Sequence, residues 1–232
     1  MTAILSNLQA TRAAIAQATK SAHRNVTEVL LLAVSKTFPA EAVREAYHAG
    51  QTAFGENYLQ EALEKIEALK DLPLEWHFIG PLQSNKTRAV AENFAWVHSV
   101  DRLKIAERLS AQRPSHLPLL NVCLQVNVSG EGTKSGVAPA DAGQLARAVM
   151  LLPNLRLRGL MSIPAPAADE EAQRVQFHVL KTLFERLNSE GMTLDTLSMG
   201  MSHDYHAAIL EGAIIVRIGT AIFGNREYGE GK

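Results

Sequence analysis

Leu30-Leu31-Leu32-Ala33-Val34-Ser35-Lys36-Thr37-Phe38-Pro39 reads as a short buried strand that runs out on a lysine, with a proline three residues further on. No glycine-rich dinucleotide turn follows the run. That disfavours an open, doubly wound sheet and favours a closed β/α barrel. A lysine rarely ends a buried strand. Desolvation there disfavours the ammonium form, and a neutral amine attacks aldehydes. The plain alternative is a lysine that snorkels past the strand end into solvent.

Working outward, short apolar runs alternate with helical patterns along the whole chain. Ile4, Leu8 and Ile15, with alanines between them, predict an amphipathic helix ahead of the first strand, which is expected at 28–35. Further strands are expected at 52–55, 74–79, 95–100, 119–128, 155–163, 193–198 and 213–218. Helices are expected at 39–49, 57–69, 83–93, 101–112, 139–152, 169–190 and 202–211, with Gly50 as a stop and Asp101 as a cap. Eight strands, each followed by a helix or helical turn, make a (β/α)8 barrel of the α/β class with an extra N-terminal helix. No linker divides the chain, so residues 1–232 are read as one domain. A length of 232 residues suits a fold that typically needs about 250.

The bulk numbers exclude several function classes. Lys plus Arg total 23 and Asp plus Glu 24, a net charge of -1. That offers no electrostatic footprint for nucleic acid or an anionic membrane. Cys123 is the only cysteine and sits in an apolar stretch, as a small buried hydrophobe does. No paired CxxC or HExxH metal set occurs. The N-terminus lacks a secretory pattern and no run of 18 uncharged apolar residues exists. A cytoplasmic monomer is expected.

In such barrels phosphate is often held by the loops after strands seven and eight. Here those are Ser198-Met199-Gly200-Met201-Ser202 and Gly219-Thr220-Ala221. Glycines let backbone approach an anion, and Ser198, Ser202 and Thr220 add hydroxyl donors. Ordinary turns and caps would look the same one at a time. Arg217 interrupts the last apolar strand and needs a partner. A salt bridge inside the barrel would supply one. With a nitrogenous ring in the mouth, an always-charged donor would instead face a ring nitrogen and keep it unprotonated. Lysine, phosphate cradle and arginine together describe pyridoxal 5'-phosphate, whose aldehyde condenses with the amine.

The segments Ala33–Lys36, Phe54–Tyr58, Trp76–Lys86, Gly159–Pro164, Leu197–Ser202 and Val216–Gly224 resemble, in order and over nearly the whole chain, the signature of the pyridoxal phosphate homeostasis proteins. The resemblance implies a fold type III barrel like the N-terminal domain of alanine racemase. It implies an aldimine on Lys36 and Arg217 facing the pyridine nitrogen. Ser198, Gly200, Ser202, Gly219 and Thr220 would surround the phosphate, and Asn57 and Met161 would flank the ring. It further implies a role in vitamin B6 balance, with apo enzymes that use the cofactor as candidate partners. One departure stands out. The family pattern after Ser202 carries Asp204 and then a second acidic residue, where this chain has His206.

Other residues invite roles. His77 is read as a hydrogen-bonded core histidine, with a general base as the sharper alternative. Asn57 is read as a ligand contact and Glu56 as equally structural. Gln83, Asn85 and Lys86 are ascribed mainly to helix capping, and Lys134 to a solvated loop. A racemase would need a second acid–base group on the opposite face of the substrate. In alanine racemase a tyrosine from a further domain supplies it, and no such domain is expected after this barrel. Tyr58 and Tyr205 are the tyrosines near the mouth, with no argument that either reaches across. A carrier is therefore preferred, with racemase as the alternative.

Overall fold

A computed structural model describes residues 2–130 and 135–224. The N-terminal helix α1 (Ala3–Ser21) precedes the first strand, β1 (Leu30–Val34). Strands and helices then alternate: α2 (Ala40–His48), β2 (Ala53–Glu56), α3 (Leu59–Ala68), β3 (Glu75–Phe78), α4 (Thr87–Asn93), β4 (Trp96–Val100) and α5 (Leu103–Gln112). The second half adds β5 (Leu120–Gln125), α6 (Ala142–Met150), β6 (Leu155–Met161), α7 (Glu170–Ser189), β7 (Thr196–Ser198), α8 (Tyr205–Leu210), β8 (Ile215–Ile218) and α9 (Thr220–Phe223). All eight strands are parallel and follow chain order around a closed barrel. Closure comes from β1 against β8, in register from Leu30 opposite Ile215 to Ala33 opposite Ile218.

Alternation along each strand sorts the side chains between two faces. Outward residues such as Ala33, Phe54, Phe78, Val97, Leu160 and Val216 form the main apolar layer beneath the helices. Inward residues fall into two small apolar clusters. Leu32, Val34, Ala53, Ile79 and Ile215 make one, and Trp96, Cys123 and Met161 the other. Also inside the barrel lie the buried polar side chains of His77, His98, Ser198 and Arg217, among others.

The expected helix ahead of the barrel is present, with Leu8 and Ile15 buried and Thr2 accepting from the Leu5 N–H. Gly50 follows the last turn of α2 with φ of +83°. Local chemistry moves some boundaries. The first strand starts at Leu30 because Asn25 and Glu28 close a reciprocal capping box around a 3-10 turn, Val26–Glu28. Asp101 does not cap α5: Arg102 holds that position, and the Asp101 carboxylate pairs with its guanidinium at 2.7 Å. Neither Gln83 nor Lys86 makes a side-chain cap, contrary to the capping expected there. Lys134 lies outside the described residues.

Candidate functional site

At the C-terminal ends of the strands a cavity of about 270 Å³ opens between the ends of β1, β2, β3 and β8. That is near the lower end of the ~300–1,000 Å³ usual for small-molecule sites. Lys36 stands on its wall, half-buried, two residues past the end of β1. Its neighbours are tightly held. Buried Ser35 donates its hydroxyl to Glu56 Oε1 at 2.6 Å, and Lys65 Nζ donates to Ser35 O and Glu56 Oε1, both at 2.7 Å. Glu61 also accepts from Lys65, and from the Thr37 N–H at 2.6 Å. Burial raises the Glu56 carboxyl, with Lys65 and then Ser35 pulling it back. Thr37 adopts φ of +68°, costly for a β-branched residue. The backbone on both sides of Lys36 is thereby pinned.

Ser202, Gly219 and Thr220 line the same cavity. A Cβ on Gly219 would come within 2.9 Å of the Val34 carbonyl oxygen, so only glycine lets β8 end this close to β1. The Thr220 and Ala221 N–H groups open a turn and have no partner within it. Asp204 fixes the preceding loop by accepting the Met201 N–H, and its own carboxyl is raised by burial. From behind, Asn7 of α1 donates to the Ile222 carbonyl at 3.1 Å and ties down α9.

Arg217 forms part of the wall from within the barrel. Nη1 donates to Ser198 O at 2.7 Å and Ser198 Oγ at 2.8 Å, and Nη2 to Ser162 O at 2.8 Å. These use three of its five donors. Its partners are therefore a hydroxyl and two carbonyls, rather than the carboxylate of a barrel salt bridge. Burial brings its pKa down to about 10, and the distant Asp204 charge opposes that. The guanidinium stays charged at neutral pH.

Six residues expected at the site, Lys36, Asn57, Ser202, Arg217, Gly219 and Thr220, meet on this one cavity. Three others sit behind its wall. Ser198 is fully buried, with its hydroxyl between Arg217 and His98. Gly200 takes φ of +96° in a turn where a Cβ would meet Ala208 at 2.6 Å, and its carbonyl accepts the Arg217 N–H. Met161 packs with Trp96 and Cys123. His77 is a buried, hydrogen-bonded core residue, and Glu56 belongs to the network under Lys36. Cys123 is buried and its thiol is pushed up to about 12, mainly by desolvation. At the departure from the family pattern, His206 meets Glu170 of α7 at 2.6 Å. Sequence reading overlooked Ile79, Ile163, Met201 and His203 on the wall, and Lys65 beneath it. Met201 lies within the loop already singled out and His203 directly follows it, so both were within reach. Lys65 carried no signal, being one lysine in an amphipathic helix.

Residues 6–227 match the family described as alanine racemase, N-terminal domain. The pyridoxal phosphate homeostasis protein of Pseudomonas aeruginosa is 63% identical over 99% of this chain and 98% of its own length. The chain belongs to the pyridoxal phosphate homeostasis protein family. The family member of Escherichia coli K12 is 52% identical over 98% of this chain and 99% of its own. Among solved structures, PipY of Synechococcus elongatus with pyridoxal phosphate bound matches at a TM-score of 0.84. It is 38% identical and covers 95% of this chain and all of that one. No described helix is long and apolar enough to cross a membrane.

Proposed function

We propose that this chain binds pyridoxal 5'-phosphate through the Lys36 amine and serves cytoplasmic homeostasis of that cofactor as a carrier. One observation carries the reading: a single small cavity brings together a lysine amine, hydroxyl-bearing turns and a charged, buried guanidinium. Orphaned polar atoms fit the same ligand. Asn57 Oδ1 is buried without a partner on a residue of the wall, and off the wall the hydroxyl of Ser162, whose carbonyl holds Arg217, is likewise buried without one. Buried acceptors are rarely left so unless a ligand meets them. The names of the relatives and the cofactor in the PipY structure support the reading.

When bound, the cofactor supplies an aldehyde carbon that condenses reversibly with primary amines. Lys36 presents the amine. Ser202, Gly219 and Thr220 hold the phosphate, and Asn57 accepts from a ring substituent. Arg217 donates to the pyridine nitrogen and, being charged, keeps it unprotonated. Ser198, Gly200 and Met161 support these groups from behind. We read residues 1–232 as one such domain, acting as a monomer that passes cofactor to apo enzymes.

Racemisation is the second reading. It needs a proton-transfer group on the face opposite Lys36. Among the described residues of the wall, the remaining titratable side chain besides Lys36 and Arg217 is His203, next to Ser202 in the phosphate turn. Tyr58 is 54% exposed. The carrier is therefore preferred.

The test is a visible spectrum of the purified protein with added pyridoxal phosphate, followed by borohydride reduction. A new visible band and a stable adduct are expected, and Lys36→Ala should lose both. A chain that stays colourless, or an undiminished adduct in Lys36→Ala, sinks the assignment. Deuterium wash-in at the α-carbon of amino acids at enzyme-like rates would favour the racemase.

A further inference from the structure

Beneath Arg217 a file of hydrogen bonds crosses the barrel from one end to the other. Ser198 Oγ lies 2.8 Å from Arg217 Nη1 and 2.8 Å from His98 Nδ1. His98 Nε2 lies 2.9 Å from His77 Nδ1, and His77 Nε2 lies 2.8 Å from Glu75 Oε1. Glu75 is the first residue of β3, so its half-exposed carboxylate sits at the end of the barrel away from the cavity. The two histidines and the serine are fully buried.

The two ends of the file fix its direction. An arginine only donates and an ionised carboxylate only accepts. Arg217 therefore gives a hydrogen to Ser198 Oγ. The serine hydrogen must then go to His98 Nδ1, which has to be bare. His98 carries its hydrogen on Nε2 and gives it to a bare His77 Nδ1. His77 Nε2–H ends on Glu75. Each hydrogen has one acceptor and each acceptor one hydrogen. The Trp96 ring lies parallel to His77, with centroids 5.3 Å apart and planes 5° apart, which fixes the imidazole plane. Reversing the file would bring a proton onto His98 Nδ1 and turn the serine hydrogen away from it, beside a cation.

We propose that Glu75 is a positioning residue for Arg217, acting through His77, His98 and Ser198 to set which way the serine hydroxyl points and so where the guanidinium rests. The proposal rests on the reading that Arg217 faces the cofactor's pyridine nitrogen. It gives work to two buried histidines that do not line the cavity.

The test joins two readouts on the full-length chain. Nitrogen-15 NMR of labelled histidine, recorded without added cofactor at neutral pH, reports the tautomers of His77 and His98. Titration with pyridoxal phosphate reports its dissociation constant and the position of the visible band. In the unaltered chain both imidazoles should carry their hydrogen on Nε2. Glu75→Ala should bring up Nδ1–H signals, weaken binding by about five- to tenfold and move the band. Glu75→Gln, whose amide oxygen still accepts from His77, should keep the Nε2–H tautomers and the affinity. Should its amide turn and donate instead, tautomers and affinity should change together. An Nδ1–H on His98 of the unaltered chain overturns the proposal. So does either variant in which affinity and tautomers fail to move together, and so does Glu75→Ala with both unchanged. A chain that takes up no cofactor defeats the reading of the cavity, while the tautomers still report on the file.

Discussion

At the scale of single residues, the barrel interior is governed by where charge can be tolerated. Arg217 is buried with no carboxylate among its hydrogen-bond partners; burial lowers its pKa to about 10, with the Asp204 charge opposing the drop. Glu75 lies at the other end of the same file. The His77 hydrogen bond, ahead of the opposing desolvation, holds its carboxyl below the ordinary value of 4.5. His77 is itself kept neutral by burial. A carboxyl whose folded value is depressed stabilises the fold fully above its unfolded value, and that contribution is lost as pH falls through the folded value. The urea midpoint of the wild-type chain should therefore exceed that of Glu75→Gln at about pH 6, and the gap should narrow steadily as pH falls below the ordinary carboxylate range. A gap independent of pH would contradict the sign. Glu56, raised by burial, works in the opposite sense but is common to both chains and cancels. Arg217 could be picked out of the sequence because one cation in an apolar strand demands a partner. His98 could not, since its partners lie 21 and 100 residues away and nothing local names them.

At the scale of elements, strand spacing and glycine decide what the periodicity leaves open. The existence and order of all eight strands followed from alternating apolar runs, because each strand must be covered on both faces. Their ends did not follow, because β7 shrinks to three residues and β5 stops at Gln125 where backbone hydrogen bonding is handed to loops. Register is tightest between β6 and β7. A Cβ on Gly159 would sit 1.7 Å from the Thr196 carbonyl oxygen, a backbone atom that cannot swing aside. Gly159→Ala should cost about 3 kcal/mol or more, at the upper end of overpacking penalties. Chemical denaturation measures this, and a loss under about 1 kcal/mol would mean that the two strands can part cheaply. A cap such as Asp101 failed for a related reason: Arg102 offered its carboxylate an ion pair that pure helix chemistry ignores.

At the scale of the whole molecule, α1 is part of the support for the site. Leu8 is fully buried, and Asn7 beside it holds the Ile222 carbonyl of α9, the turn that opens on the cavity wall at Thr220. Leu8→Ala should destabilise the fold by about 2–5 kcal/mol and loosen cofactor binding as well. Thermal melts with and without the cofactor separate the two effects, and an unchanged affinity would free α1 of any role in the site. Closure of the barrel also explains why the cavity was only partly visible in the chain. Lys36 and Thr220 were each recognisable, whereas Ile79 and Ile163 are apolar residues whose inward placement depends on the finished wall. The seam between β1 and β8 has a consequence in time as well as in space. A ribosome adding about 5–20 residues per second makes Lys36 roughly ten to forty seconds before the Gly219–Thr220 turn proposed to grip the phosphate. On the proposed reading, a nascent chain thus lacks the complete site, and tight uptake waits until synthesis has passed the eighth strand.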